Sequence, residues 1–455
     1  MSDISRLLSM GRGALMSQQQ RMEVSQHNIA NASTEGYVRQ RVDMVTLGGQ
    51  YGGKVRGVTT EGPYAVRTPF CERQIAFQRS EVGFHNQVGQ IGRSLETSLF
   101  PDGEAKTAVQ IGGFFDAMGA LSSQPSDPAR RRDVLSKAES VAASFRQDAN
   151  VLTREMTSIE ATARDSVESL NKDLGQIAKL DQQIREAVAS GGGDDLIDER
   201  NRIVGRVTDQ LNVQVVNGKD GTVQLVTNDG RSIVEGGQAR TLSLQKNNNE
   251  LSLSLSGVSG DQPIAQPGGS LGGLVSGHND VALGALTDLN TRAEEFANAM
   301  NAAHAAGFGV DGVNGRNLFS ITPGAGAAAS FAVDAAVSGN PDALATSGTG
   351  SPGDNAALRA MMDVRDTNLP SGGQIEDGIR SIQQRIGTTI ADADRNAITS
   401  DSSLQQLSAM KSSVEGVSME EEILNLTQAQ RGFEAAMKVL QASESMFDSI
   451  MSLKS

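Results

Sequence analysis

Apolar residues recur at every seventh position at both ends of this chain. Near the N-terminus Leu8, Leu15, Met22 and Ile29 hold that spacing, and Ile4, Leu7, Gly11 and Ala14 widen the stripe. Near the C-terminus Met419, Leu426, Phe433, Leu440 and Phe447 do the same, flanked by Ile423, Met437, Ile450 and Met451. A seven-residue repeat keeps one apolar seam turned toward a partner helix when the two supercoil slightly. The pattern predicts a helix over the first 31 residues, capped by Ser2 or Asp3 and broken by Asn28, Asn31, Ser33 and Gly36. It predicts another from about Ser418, where Ser418 and Glu421 make a Ser-x-x-Glu capping box. Residues 1–41 carry five basic and three acidic side chains and residues 401–455 four and eight, an imbalance that favours pairing the two ends. A single apolar stripe is ordinarily core. The matched pair at the two termini sets an assembly seam beside that reading.

Between the ends the period changes. Residues 37–68 read as extended and turn-rich, with scattered Val among Gly. Helical spacing returns from residue 69 to about 121. Ser126-Asp127-Pro128 then starts a long helix, Asp at the cap and Pro in the first turn, running to about Ala189. A further helix is expected from Asp194 to Leu211. Over residues 212–256 short Val, Leu and Ile runs are parted by Asp220-Gly221 and Asn228-Asp229-Gly230, and Leu251, Leu253 and Leu255 alternate with Ser. These are hairpin signals and predict a small antiparallel β-unit of four to six strands. Residues 321–353, rich in Gly, Ala and Ser, read as a small β-excursion or a flexible loop. Helical patterns follow near residues 355–364 and from Pro370 to about Ser413.

Composition narrows the function. The 455 residues are 38% hydrophobic and 21% charged with a net charge of −14, which opposes binding to nucleic acid or an anionic membrane. Arg130, Arg131 and Arg132 form the densest basic run and read as solvated first turns of a helix. Aromatics make up only 4%, with no Trp, so a large aromatic core is not expected. The single cysteine, Cys71, allows no internal disulfide. No run of about 18 apolar residues occurs, so no membrane span is expected. The first residues lack the apolar core and small-residue cleavage site of a Sec-type leader.

Motifs for chemistry are weak. Gly268-Gly-Ser270-Leu-Gly272 matches a nucleophile elbow, but no strand pattern precedes it, and His278 follows too closely to come from the usual separate loop. A secreted serine hydrolase with Ser270 as nucleophile is therefore a minor alternative. His27, His85, His278 and His304 include no pair at metal-ligand spacing. Asp311-Gly-Val-Asn314-Gly-Arg-Asn317 lacks the alternating acids and closing Glu of a calcium loop and reads as a turn. No catalytic residue, cofactor or metal site is expected.

Asn28-Ile-Ala-Asn31-Ala-Ser-Thr34-Glu-Gly36-Tyr37-Val-Arg39-Gln40 resembles the N-terminal signature of flagellar rod, hook and hook-associated proteins. Gly416-Val-Ser-Met-Glu-Glu-Glu422, continuing through Leu426 and Leu440, resembles their C-terminal signature. The middle is similar to the hook-associated protein 1 family in several stretches: Leu121 through Arg130, Gln176 through Leu180, Asp195 through Arg200, Gly268 through Leu274, and Phe296 through Phe308. One departure is the stretch of small residues at 321–353, where members often carry a large outer β-domain.

The resemblance implies a mainly α fold with a β-rich insertion, paired N- and C-terminal coiled-coil helices and a long-helix-and-β middle domain. It divides the chain into residues 1–62 pairing with 405–455, and a middle domain of 63–404. It implies a structural subunit, exported without a cleaved signal peptide through the flagellar type III route, that self-assembles as a helical ring at the distal end of the hook. Its implied partners are copies of itself, the hook protein, a second hook–filament junction protein and an export chaperone on the C-terminal helix. Leu8, Leu15, Met22, Ile29, Leu426, Phe433, Leu440 and Phe447 are the expected seam. Asn28, Asn31, Thr34, Gly36 and Tyr37 are the expected structural turn. A hook or rod subunit and a cytoplasmic helical binding module are the other readings.

Overall fold

The computed structural model describes residues 2–34, 37–47, 57–60, 62–66, 68–189, 193–218, 220–257 and 260–452. Its helices in chain order are α1 (Ser2–Ala30), α2 (Pro69–Leu99), α3 (Lys106–Ser122), α4 (Pro128–Ala189), α5 (Asp194–Gln210), α6 (Gly269–Ser276), α7 (Gly284–Ala305), α8 (Ala356–Asp363), α9 (Ile375–Glu415) and α10 (Met419–Ser452). The chain is mainly α with small antiparallel sheets in its middle. It packs as two units: a terminal unit of residues 1–75 with 403–455, and a middle unit of residues 76–402.

In the terminal unit α1 packs along α10. Four short strands, β1 (Gln40–Arg41), β2 (Met44–Leu47), β3 (Gly57–Thr60) and β4 (Tyr64–Ala65), form two antiparallel pairs, β1 with β4 and β2 with β3. The β2–β3 pair lies against α1. A Cβ at Gly13 would sit 2.7 Å from the Val58 carbonyl oxygen, so only glycine permits that approach.

The middle unit is built on α4, 62 residues long and so about 90 Å. Its start is fixed as its sequence requires: Asp127 Oδ1 accepts from the Ala129 N–H at 2.8 Å, with Pro128 in the first turn. One face of α4 buries Val134, Phe145, Leu152, Leu170 and Ile184 against α3, α5, α6 and α7. Strands β5 (Val213–Asn217), β6 (Val223–Thr227), β7 (Ser232–Glu235) and β8 (Gln238–Ala239) make one antiparallel sheet in that order. Strands β9 (Leu242–Asn247), β10 (Glu250–Leu255) and β11 (Gln262–Pro263) make a second, ordered β11-β10-β9. Six of these strands, β5–β10, fall within residues 212–256, inside the four to six that the pattern predicts, and β11, two residues long, lies just beyond that range. The β9–β10 hairpin closes on Asn248 and Asn249, both at positive φ, the backbone of a two-residue turn whose twist matches the strands.

Two expectations are corrected here. Six of the few phenylalanines, Phe114, Phe115, Phe145, Phe296, Phe319 and Phe331, form one cluster with ring centroids 4.8–6.3 Å apart. A low aromatic content does not preclude an aromatic core when the rings converge from α3, α4, α7, β12 (Phe319–Ser320) and, with Phe331, the residue just before β13 (Ala332–Val333). Arg131 is not solvated but buried. Its guanidinium donates to the carbonyls of Pro125, Pro341 and Leu344 and to Thr346 Oγ1, at 2.6–3.1 Å. These bonds satisfy a charge that could not otherwise be buried, and they fasten the 321–353 segment to α4. That segment is ordered and places Phe331, Val337 and Leu344 in the core.

Asp148 on α4 takes a 2.6 Å hydrogen bond from Thr107 Oγ1, and burial pushes its carboxyl up to about 6 despite that bond. An acid whose folded pKa lies above its unfolded value binds more protons when folded, so stability falls as pH rises from about 4 to 6. Asp148→Asn keeps an acceptor for Thr107 and removes the charge. The variant is expected to be more stable by about 2 kcal/mol at pH 7 and about equal to the parent near pH 4. Urea unfolding at the two pH values checks this, and an equal gain at both would show that charge burial is not the cause.

Candidate assembly interface

α1 and α10 run antiparallel, and three contacts set their register. A Cβ at Gly11 would meet Leu440 Cδ1 at 3.2 Å, and one at Gly432 would meet Gln18 Cδ at 2.8 Å. The Asn28 Nδ2 reaches Glu422 Oε2 at 3.2 Å. The buried line on α10 is Glu422, Ala429, Ala436 and Ser443, again at a spacing of seven. On α1 it is Gly11, Ser17, Val24, Ser25 and Asn28. Small residues therefore fill the centre of the pair, which lets the helix axes approach. The large residues of the expected seam, Leu8, Leu15, Met22 and Ile29 with Leu426, Phe433 and Leu440, lie beside that centre and are half-buried. Phe447 falls within α10, its side chain outside the described residues.

One end of the pair is closed by a buried polar knot. The Asn28 Nδ2 donates to the Gln40 carbonyl at 2.9 Å and its Oδ1 accepts from the Gln40 N–H at 3.0 Å. That Oδ1 also accepts from the Tyr37 hydroxyl at 2.9 Å. With the bond to Glu422, both donors and both acceptor sites of this amide are used. Arg39 donates Nε to Glu422 Oε1 at 2.8 Å and brings Nη2 to 2.7 Å from the same oxygen. Its Nη1 pairs with Glu421 Oε2 at 2.7 Å. The Arg39 N–H donates to the Glu415 carbonyl, and Glu415 Oε1 accepts from the Thr68 N–H at 2.6 Å. Asn31 donates to the His27 carbonyl at 3.0 Å and accepts from the Thr34 hydroxyl at 3.3 Å, closing the end of α1. Asn28, Asn31, Thr34 and Tyr37 are thus brought together, while Gly36 lies outside the described residues. The carboxylates opposite them were not expected: Arg39 and Glu422 stand 383 positions apart, and no local pattern joins them.

Much apolar surface is left uncovered. Most of the exposed large apolar side chains among the described residues belong to the terminal unit, including Ile423, Leu424, Val439 and Met446 on α10. The features that hint at chemistry resolve into structure. Gly268 and Gly269 take positive φ, and a Cβ at Gly269 would lie 2.2 Å from the Gln210 carbonyl carbon, so the elbow-like sequence is a close-packed start to α6. His304 is buried, and burial holds its imidazole below the ordinary value. Its Nδ1 lies 2.8 Å from the Arg316 carbonyl and its Nε2 accepts from the Ala345 N–H at 3.0 Å, which places the proton on Nδ1. Asp311 pairs with Arg316 at 2.6 Å across its turn. Among the described residues no three His, Cys, Asp or Glu side chains gather as metal ligands.

Three family models match the chain. Residues 94–319 match the flagellar hook-associated protein FlgK helical domain. Residues 8–37 match the flagella basal body rod protein, and residues 413–453 the flagellar basal body rod FlgEFG protein C-terminal region. The chain is 24% identical to flagellar hook-associated protein 1 of Bacillus subtilis strain 168, over 98% of this chain and 97% of that one. It is also 24% identical to flagellar hook-associated protein 1 of Escherichia coli K12, over 99% and 100%. For the protein of that name in Salmonella typhimurium LT2 the figures are 27%, over 70% and 60%. The flagellar hook junction protein FlgK from Burkholderia pseudomallei aligns at a TM-score of 0.48 with 23% identity, over 56% of this chain and 47% of that chain.

Rod-type sequences at both ends, meeting as one helix pair, define a flagellar axial protein. The chain belongs to the flagellar hook-associated protein 1 family and is a structural subunit of the flagellar hook junction.

Removing one partner of a buried ion pair leaves the other charge uncompensated. Glu422→Ala is expected to cost the terminal unit about 3 kcal/mol, because Arg39 and Asn28 lose their shared acceptor. Amide exchange should accelerate in α1 and α10 and remain unchanged in α4. Unchanged protection at both ends would refute the role given to the knot.

Proposed function

We propose that this subunit is exported to the tip of the hook, adds there as a helical ring, and connects hook to filament. The terminal pair is the assembly element. The observation that carries this reading is the half-buried row of Leu8, Leu15, Met22, Leu426, Phe433 and Leu440 beside the small-residue centre, with Ile423, Leu424 and Val439 open to solvent. Apolar surface of this extent on a folded unit marks an interface. Repeating a head-to-tail contact between unlike faces generates a helical array. The partners are other copies of the chain, hook protein on one side, a second junction protein on the other, and before export a chaperone on α10.

A strain lacking this chain is expected to show hooks without filaments by electron microscopy, with flagellin in the medium. Missing hooks would move the subunit to the rod or hook, and normal filaments would reject the flagellar role. Two substitutions then separate pairing from assembly. Leu440→Glu places a charge opposite Gly11 and should disturb the pair itself while the protein stays soluble. Val439→Glu alters an exposed position, so the monomer should keep its helix content and thermal midpoint while incorporation falls by about tenfold or more. Normal incorporation of both variants would rule out the terminal pair as the contact.

A further inference from the structure

The methionines are sorted between the two units. Ten of the fifteen lie in the terminal unit, which holds little more than a quarter of the chain. In the middle unit Met118, Met156, Met300 and Met361 are core residues, at most 6% exposed. In the terminal unit Met16, Met44, Met410, Met419, Met437 and Met446 are 37–66% exposed. Every large exposed methionine among the described residues is on the terminal unit. The one thiol, Cys71, is buried.

We propose that these methionines are an oxidation site that switches off the subunit before assembly; the inference rests on the terminal pair being the assembly surface. The reactant is a peroxide, a two-electron oxygen donor. The thioether sulfur attacks one peroxide oxygen; an S–O bond forms as the O–O bond breaks. Sulfur loses two electrons, the peroxide is reduced, and both of its hydrogens leave in one water. A flexible apolar side chain becomes a polar one carrying a strong acceptor oxygen. On the free subunit that oxygen is hydrated, so folding is undisturbed. In an apolar interface it has no donor, and its burial opposes addition. A thioether suits a junction because its soft, unbranched side chain adapts to unlike neighbours. The same sulfur makes the contact vulnerable to oxidant. Once a neighbour covers it, the sulfur is shielded, so the switch acts on subunits not yet built in.

The test treats the purified full-length chain with hydrogen peroxide and maps oxygen addition by peptide mass. Met16, Met44, Met410, Met419, Met437 and Met446 should react well before Met118, Met156, Met300 and Met361. Untreated, oxidised, and oxidised-then-reduced protein, the last treated with both stereospecific methionine sulfoxide reductases, are then added to hooks from a strain lacking the chain. Oxidation should lower incorporation by about tenfold or more, with circular dichroism unchanged, and the reductases should restore it. A variant with those six methionines changed to Leu should still add after peroxide treatment. Full incorporation of oxidised protein would overturn the proposal. So would failure of the reductases to restore it, or equal loss in the Leu variant. If untreated protein does not add to hooks, the assembly reading itself fails, a result distinct from each of these.

Discussion

The terminal unit depends on a carboxylate placed where a heptad helix would ordinarily put an apolar side chain. Glu422 begins the buried line of α10, followed at spacings of seven by Ala429, Ala436 and Ser443. A buried charge is tolerable only when paired and fully hydrogen-bonded. Arg39 and Asn28 supply that pairing, and both come from the other end of the chain. The requirement works in one direction only: α10 slid by a turn would leave Glu422 without partners. The knot therefore fixes register in a seam of Gly, Ala and Ser, which are too alike to fix it by shape.

Asn28 belongs to a device that recurs through the molecule. A carboxamide offers one acceptor and one donor side by side, the same edge a peptide unit presents. Asn28 uses that edge on Gln40, Asn171 on Leu242, Asn279 on Leu251, and Asn301 on Phe319, each taking a backbone N–H and giving to the carbonyl of the same residue at 2.7–3.0 Å. In all four a helix side chain satisfies a strand's backbone. This explains how a chain with such short strands keeps them attached. Asn279 lies in a π-helical stretch, Gly277–Leu283, where the wider turn carries it to β10. The stretch is thus accounted for by docking and needs no catalytic role.

The local physics was legible in the sequence. Asp127-Pro128 started α4, the Gly-containing turns marked the β5–β6 and β6–β7 hairpins, and the alternating Leu and Ser residues became β10. What could not be read depends on meetings across long separations. Arg131 looked solvated because only the Pro125 carbonyl accepts from it locally; its other acceptors, including Leu344 and Thr346, lie more than two hundred positions away. The phenylalanine cluster was hidden for the same reason, since its rings lie on four elements and at Phe331, just before β13. The heptads were read correctly as helices, and the structure sets a centre of small residues beside their large ones. Which side of an apolar stripe faces a partner within the chain is a question of complementarity, and Gly11 and Gly432 decide it in favour of the small residues.

That preference has an energetic consequence. Fully burying a Leu or Phe side chain contributes about 1.5–3 kcal/mol, whereas an Ala or Ser contributes far less. A pair centred on Ala429, Ala436 and Ser443 therefore gains little from its centre and leaves Leu8, Leu15, Phe433 and Leu440 only partly covered. Reversing the arrangement, with the large residues inside, would give a tighter pair with nothing left for a neighbour. The observed arrangement holds the pair by polar bonds at one end and keeps several kcal/mol of burial for contact with another subunit. Stability of the free subunit and affinity for the growing structure thus draw on different residues, so each can change by substitution without abolishing the other.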